Sequence, residues 1–177
     1  MPLKRIVLFG SECTGKTTLA RRLAERFGAP WAEEYVREFY ERKGYDPEFA
    51  DLDPIARGQI ANEEEAESRA DRLVFIDASL LSTVVYAHHY YSRCPAWIER
   101  EAEARLGDLY LLCEIDCPWT ADGMRDRGER RAEMQALFRA ALTSRGLRAE
   151  SLTGDWEERF QRGVAVVENF VQSHPQH

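Results

Sequence analysis

Three stretches of the chain are almost continuously apolar: residues 4–9 (KRIVLF), 73–77 (LVFID) and 109–115 (LYLLCEI). Runs without polar alternation read as strands buried on both faces, as in a parallel sheet. Residues 30–33 and 148–152 are weaker strand candidates. Elsewhere the apolar positions follow a helical period. Leu19, Leu23 and Phe27 recur every four residues, with Ala20 and Ala24 beside them. Met134, Leu137, Phe138, Ala141 and Leu142 form a second stripe, and Trp156, Phe160, Val164, Val167 and Val171 a third. Each stripe reads as a helix face packed on a core rather than a cofactor box. Asp53-Pro54 combines a cap with a proline at the first helical position, which predicts a helix running to about Arg72. Strands alternating with helices predict an α/β fold with a mostly parallel sheet.

The junction between the first strand and the first helix carries the sharpest chemistry. Gly10-Ser11-Glu12-Cys13-Thr14-Gly15-Lys16-Thr17 matches G-x-x-x-x-G-K-[ST]. Glycines allow backbone angles and a close approach that side chains would block. Successive N–H groups can then cradle phosphate oxygens, and the helix that follows adds its positive dipole end. Lys16 would place a compact charge on the β- and γ-phosphates, and Thr17 a hydroxyl on Mg²⁺. The expected nucleotide-binding residues are therefore Gly10, Ser11, Glu12, Cys13, Thr14, Gly15, Lys16, Thr17 and Thr18. Lysine occurs only at positions 4, 16 and 43, so its use here suits a point charge rather than an arginine fork. Asp77, at the end of the 73–77 run, suits the same metal from a neighbouring strand; a helix cap is its plainer role.

Composition narrows the setting. The chain has 177 residues, 44% hydrophobic, enough for one ordinary core. Its net charge of −7 argues against general nucleic-acid binding. No apolar run approaches a membrane span, and the first residues lack the cleavage pattern of a signal peptide, so a cytoplasmic protein is expected. Cys13, Cys94, Cys113 and Cys117 show no zinc-type spacing and read as free thiols.

Among P-loop proteins, a GTPase switch would carry N-K-x-D, which is absent, and a helicase or AAA+ motor normally needs a longer chain. A small-molecule kinase needs an acceptor site and an arginine-rich lid. The segment 118–131 (PWTADGMRDRGERR) supplies Arg125, Arg127, Arg130 and Arg131 between possible glycine hinges; a solvated basic helix start would look the same. The stretch 31–40 (WAEEYVREFY) is acidic and aromatic. That suits a hydroxyl acceptor, whose proton a carboxylate can orient and take, better than an anionic monophosphate. Glu33 and Glu34 both fit that role. The loop in LTGDWEERF is a candidate neighbour of adenine, although Asp155 also makes a plain helix cap.

The segments GSECTGKTTLA, EEYVREF, DLDPIARGQ, FIDASLLST, CPAWI and DLYLLCEIDCPWTADGMR run through most of the chain. Together they resemble the ribosylnicotinamide (nicotinamide riboside) kinase domain of the NadR family, E-Y-x-R-E with P-W-x-x-D-G-x-R being the most specific pair. The resemblance implies a single P-loop kinase domain over 1–177, with a five-stranded parallel sheet in the order 2-3-1-4-5, helices on both faces and a lid at about 118–131. It implies transfer of the ATP γ-phosphate to the 5′-hydroxyl of nicotinamide riboside. By match to the motifs, Glu34, Tyr35 and Arg37 go to the acceptor, Trp119 and Asp122 to the substrate side and Arg125 to the lid. Lys16, Glu34, Asp77 and Arg125 become the catalytic set, with Thr17 and Asp77 around Mg²⁺. A pyridinium ring suits an acidic, aromatic pocket, for which Trp31, Tyr35, Tyr86 and Trp119 are the stacking candidates. Position 13 holds Cys where the family commonly has Ser. The adenylyltransferase and helix-turn-helix regions of larger relatives have no counterpart in the 177 residues, so only the kinase activity is expected.

Overall fold

A computed structural model of the protein describes residues 2–117 and 130–173. Its strands are β1 (Lys4–Phe9), β2 (Trp31–Ala32), β3 (Leu73–Asp77), β4 (Leu109–Cys113) and β5 (Ala149–Leu152). Its helices are α1 (Lys16–Phe27), α2 (Tyr35–Lys43), α3 (Leu52–Ser68), α4 (Leu80–Tyr91), α5 (Ala96–Ala104), α6 (Arg131–Thr143) and α7 (Trp156–Gln172). The five strands form one sheet in the order β2-β3-β1-β4-β5, and every neighbouring pair is parallel.

The apolar runs explain the layers. Successive side chains of a strand point to opposite faces. Ile6 and Leu8 of β1 join Phe75, Leu109 and Leu111 against Leu19 and Leu23 of α1 and Val164 and Val167 of α7. Val7 and Phe9 face the other way, with Val74, Ile76, Tyr110 and Leu112, against Leu81 of α4 and Met134, Phe138 and Leu142 of α6. A third cluster joins α3, α4 and α5 through Ala56, Leu80, Val84 and Ile98. Because β1 lies between β3 and β4, the loop after Phe9 opens at the centre of the sheet's carboxyl edge, beside Asp77, whose neighbour across the ladder is Leu8.

Several boundaries differ from expectation. The third apolar run ends as a strand at Cys113; the Glu114 N–H still donates to the Leu152 carbonyl, and its carboxylate meets Gln135, Arg139 and Ser151. Helix α3 begins at Leu52, before Asp53-Pro54, after a 3₁₀ turn over Phe49–Asp51, and Asp53 instead pairs with Arg57. It ends at Ser68 rather than near Arg72, which leaves Arg72 to accept the Lys4 N–H at the start of the β1–β3 ladder. Leu137 is exposed on the outer side of α6. All four cysteines are free thiols, with Cys113 and Cys117 buried. Among the described residues no helix is long and apolar enough to cross a membrane.

Candidate active site

The loop between β1 and α1 folds as the glycine spacing demands. Gly10 has φ +124°, and a Cβ there would sit 2.8 Å from the Cys113 carbonyl oxygen. Gly15 caps α1 at φ +75°, where a Cβ would meet the Trp156 ring at 2.5 Å. Cys13, at φ +55°, takes a left-handed conformation uncommon for a side chain. The loop is pinned by its own side chains: Thr14 Oγ1 and Lys16 Nζ both donate to the Ser11 carbonyl, at 2.8 and 2.7 Å.

Helix α6 grips the same loop from outside. Gln135 Oε1 accepts the Ser11 N–H at 2.9 Å, while its Nε2 donates to the Cys113 carbonyl and to Glu114. One turn earlier, Arg131 donates to the carbonyls of Cys13 (2.9 Å) and Cys117 (3.2 Å). Arg131 is therefore a buried clamp on the loop backbone, not one of the closing arginines expected from 118–131. Burial pushes the Glu114 carboxyl up, but hydrogen bonds from Ser151, Arg139 and Gln135 outweigh it and hold the pKa below the usual value.

Thr17 Oγ1 donates to Asp77 Oδ2 at 2.5 Å. Asp77 does not cap α4; Ser79 occupies that position, and Ala78 between them turns at φ +54°. Asp77 is 1% exposed, and its Oδ1 has no hydrogen-bond partner among the described residues. Burial, and next the charge of Glu34, push its pKa up to about 7, against Lys16, the Thr17 hydrogen bond and Arg37. Lys16, Glu34, Arg37 and Asp77 thus share one electrostatic neighbourhood. Among the described residues no three His, Cys, Asp or Glu side chains gather as a metal site. The hydroxyl of Thr17 and the unpaired carboxylate oxygen of Asp77 are hard donors that fit Mg²⁺, an ion that usually shares its shell with phosphate and water.

β2 feeds directly into the acidic pair. Glu33 is exposed, whereas Glu34 is half-buried at the cap of α2 and its side chain makes no capping bond. The Tyr35 N–H donates to Gln59 Oε1, Gln59 donates to buried Glu63, and Glu63 accepts from Arg5 of β1. Beside this start lies a cavity of about 350 Å³, walled by Glu34, Gln59, Ser82, Tyr86, His89 and Tyr90 among others. Of the expected stacking residues, Tyr86 is in that wall. Trp31 packs against the α1–α7 core, and the Tyr35 ring lies on Gly58 of α3 and accepts a hydrogen bond from Arg42. Trp119, Asp122 and Arg125 lie outside the described residues, as does most of 118–131. Arg130, at its end, reaches the cavity wall and pairs with Glu133.

Sequence reasoning missed the α4 contribution to this wall. LLSTVVYAHHYY reads as apolar and aromatic throughout, and only its three- and four-residue spacings separate the cavity face, Ser82, Tyr86 and His89, from the core face, Leu81 and Val84. Trp156, expected in a core stripe, is 52% exposed and stands over Gly15. It shares a hollow of about 180 Å³ with Thr14, Thr18, Arg22 and Arg159. Asp155 is a helix cap as expected, accepting the N–H groups of Glu157 and Glu158.

Comparison with known proteins agrees with this geometry. Residues 5–159 match a family model described as an AAA domain. The match covers most of the chain and leaves the reaction to be read from the site. The trifunctional NAD biosynthesis/regulator protein NadR of Escherichia coli (strain K12) is 28% identical over 176 residues, 96% of this chain and 43% of that protein. The chain thus spans less than half the length of the curated relatives it matches. A crystal structure of NadR protein in complex with NR superposes with a TM-score of 0.80 at 30% identity, covering 95% of this chain and 51% of that one. NadR protein in complex with NAD and AMP-PNP gives the same TM-score at 26% identity, covering 95% and 49%.

Proposed function

The chain belongs to the AAA domain family, and from its site we propose that it acts as one P-loop kinase domain that moves the γ-phosphoryl group of ATP to the 5′-hydroxyl of nicotinamide riboside, in the cytoplasm. The observation that carries this reading is the cavity at the carboxyl end of β3. It has Glu34 and Tyr86 in its wall and adjoins Asp77, which responds to the charges of both Glu34 and Lys16. An anion-binding loop and an acidic, aromatic hollow thus meet at one edge of the sheet. A ribosylated pyridinium is a cation with an aromatic face, and such a hollow favours it through charge and cation–π attraction. The superposition with NadR protein bound to NR supports the same acceptor.

In this reading the amides of residues 10–18 hold the ATP phosphates, and Lys16 neutralises charge on the β- and γ-oxygens. Thr17 and Asp77 hold Mg²⁺, which when bound neutralises phosphate charge. Glu34 orients the acceptor hydroxyl and takes its proton as the O5′–Pγ bond forms and the bond from Pγ to ADP breaks. Tyr35 and Arg37 shape the acceptor side; Trp119, Asp122 and Arg125 complete the substrate side and the lid.

The test is a product assay. The purified protein is incubated with Mg-ATP and, separately, nicotinamide riboside, thymidine, deoxycytidine, uridine and adenosine, and products are weighed by mass spectrometry. Nicotinamide mononucleotide should form far faster than any other monophosphate. A product from another nucleoside keeps the mechanism and replaces the acceptor. ADP without a phosphorylated acceptor replaces the kinase with a nucleotide-binding regulatory module.

A further inference from the structure

The cavity face of α4 carries polar side chains that phosphoryl transfer does not use. Ser82, Tyr86 and His89 lie four and three residues apart, share one side of the helix and all line the cavity. Ser82 is 4% exposed and the His89 side chain 5%. Neither Ser82 Oγ nor His89 Nε2 has a hydrogen-bond partner among the described residues. Leaving a buried polar atom unpaired forfeits its hydration with no return, so such atoms in a cavity wall point to a ligand. The His89 ring is held edge-on to Tyr90 at 4.8 Å between centroids, and its Nδ1 lies 3.8 Å from Glu133. That leaves Nε2 as the nitrogen for a ligand.

The chemistry of the pair narrows the ligand. A serine hydroxyl both donates and accepts, and a neutral imidazole nitrogen does one or the other according to tautomer. The two together match a group with a carbonyl oxygen and N–H donors. The wall also carries Glu34 and Asp46, and its arginine among the described residues, Arg130, is paired with Glu133. That balance disfavours an anionic substituent and leaves a neutral amide. We propose that Ser82 and His89 are specificity residues that hydrogen-bond the ring carboxamide of the acceptor. The inference rests on nicotinamide riboside being the acceptor.

The test compares nicotinamide riboside with N-ribosylpyridinium, which keeps the cation and the sugar and lacks the carboxamide. Steady-state kinetics are measured for the wild type, Ser82→Ala, His89→Ala and His89→Gln, with melting curves for each. The wild type should prefer nicotinamide riboside. Ser82→Ala and His89→Ala should each lower kcat/KM for it about tenfold, mainly through KM, the scale of one lost hydrogen bond. Turnover of N-ribosylpyridinium should stay within about twofold, because that substrate never made the bond. His89→Gln, which keeps a polar group near Nε2, should recover part of the loss. Equal losses on both substrates, or no loss on either, overturn this inference alone and leave the kinase reading standing. A wild type that phosphorylates neither pyridinium riboside but does phosphorylate another nucleoside overturns the acceptor, and this inference with it.

Discussion

Lys16 and Asp77 carry much of the chemistry proposed at the carboxyl end of β1. The Lys16 ammonium lies 2.7 Å from the Ser11 carbonyl, on the loop it is proposed to serve, and packs in no core cluster. Lys16→Ala should therefore lower kcat by about two to three orders of magnitude, the scale of losing one preorganised charge-stabilising group. The fold should stay intact, with unfolding free energy falling by about 1–3 kcal/mol through the lost Ser11 hydrogen bond and the lost charge beside Asp77. Near-normal turnover in this variant would remove Lys16 from the mechanism. Asp77 gives a pH prediction. Its native pKa, about 7, lies above its ordinary value of 3.8, so between those values the native state binds more protons than the unfolded chain. Its stabilising contribution is full below about pH 4 and is lost as pH rises through 7. Asp77→Asn keeps an oxygen for the Thr17 hydroxyl and cannot ionise. Without nucleotide or Mg²⁺, its advantage in unfolding free energy over wild type should be smaller at pH 5 and grow towards pH 8, approaching a few kcal/mol. Mg-ATP should shrink or reverse that advantage at pH 8, since only the carboxylate gains from a bound cation. A difference that does not change with pH would show Asp77 to be ionised throughout.

At the scale of elements, α6 does more than cover the sheet. Arg131 and Gln135, one turn apart, hold the Cys13 carbonyl and the Ser11 N–H of the phosphate loop. Gln135→Ala strands the buried Ser11 N–H and removes the donor to Cys113. The expected cost is about 1–3 kcal/mol in chemical denaturation. The looser loop should also bind an ATP analogue several-fold more weakly by calorimetry, while acceptor binding stays unchanged. Unaltered nucleotide affinity would reduce the α6 contact to packing. The apolar side of α6 was legible in the sequence, because Met134, Phe138 and Leu142 repeat at helical spacing. Arg131 and Gln135 were not. Hydropathy ranks a buried arginine that donates to backbone with one that waves in solvent, so Arg131 read as part of a basic lid. The same blindness hid Ser82 and His89 in α4 and put Trp156 in the core, although it stands over the bare backbone of Gly15. Periodicity reports which side of a helix turns inward, but not whether a core, a loop backbone or a cavity meets it.

Across the whole molecule, local pattern identified β1, β3 and β4 as buried strands, and the loop after β1 was legible from the chemistry of its glycines, lysine and threonine. The neighbour order β2-β3-β1-β4-β5 came only through family resemblance, since an apolar run does not name its partner. That order makes one side chain a junction for both halves of the site. Phe138 of α6 packs edge-on against Phe9, the last residue before Gly10, at 4.8 Å between centroids, and against Tyr86 of the cavity wall at 5.3 Å. It is fully buried in the cluster that also holds Val7, Ile76, Leu81 and Tyr110. Phe138→Ala opens a void there and should cost about 3–5 kcal/mol, the usual range for a buried phenylalanine. The two sides of the void have different support. Phe9 remains fixed by its pairing with Leu112 of β4, and the loop beyond it by Gln135 and Arg131. Tyr86 keeps its stacking on Tyr90 but loses its aromatic edge contact, in a wall that is already open. Where the variant is still folded, KM for the acceptor should therefore rise several-fold, while affinity for an ATP analogue changes little. Phe138→Leu, which fills most of the void, should recover stability before it recovers the acceptor KM, because a leucine supports the core without offering Tyr86 an aromatic edge. If both affinities fall together, the cluster transmits strain to the phosphate loop as well, and the two halves of the site are one mechanical unit rather than two that share a wall.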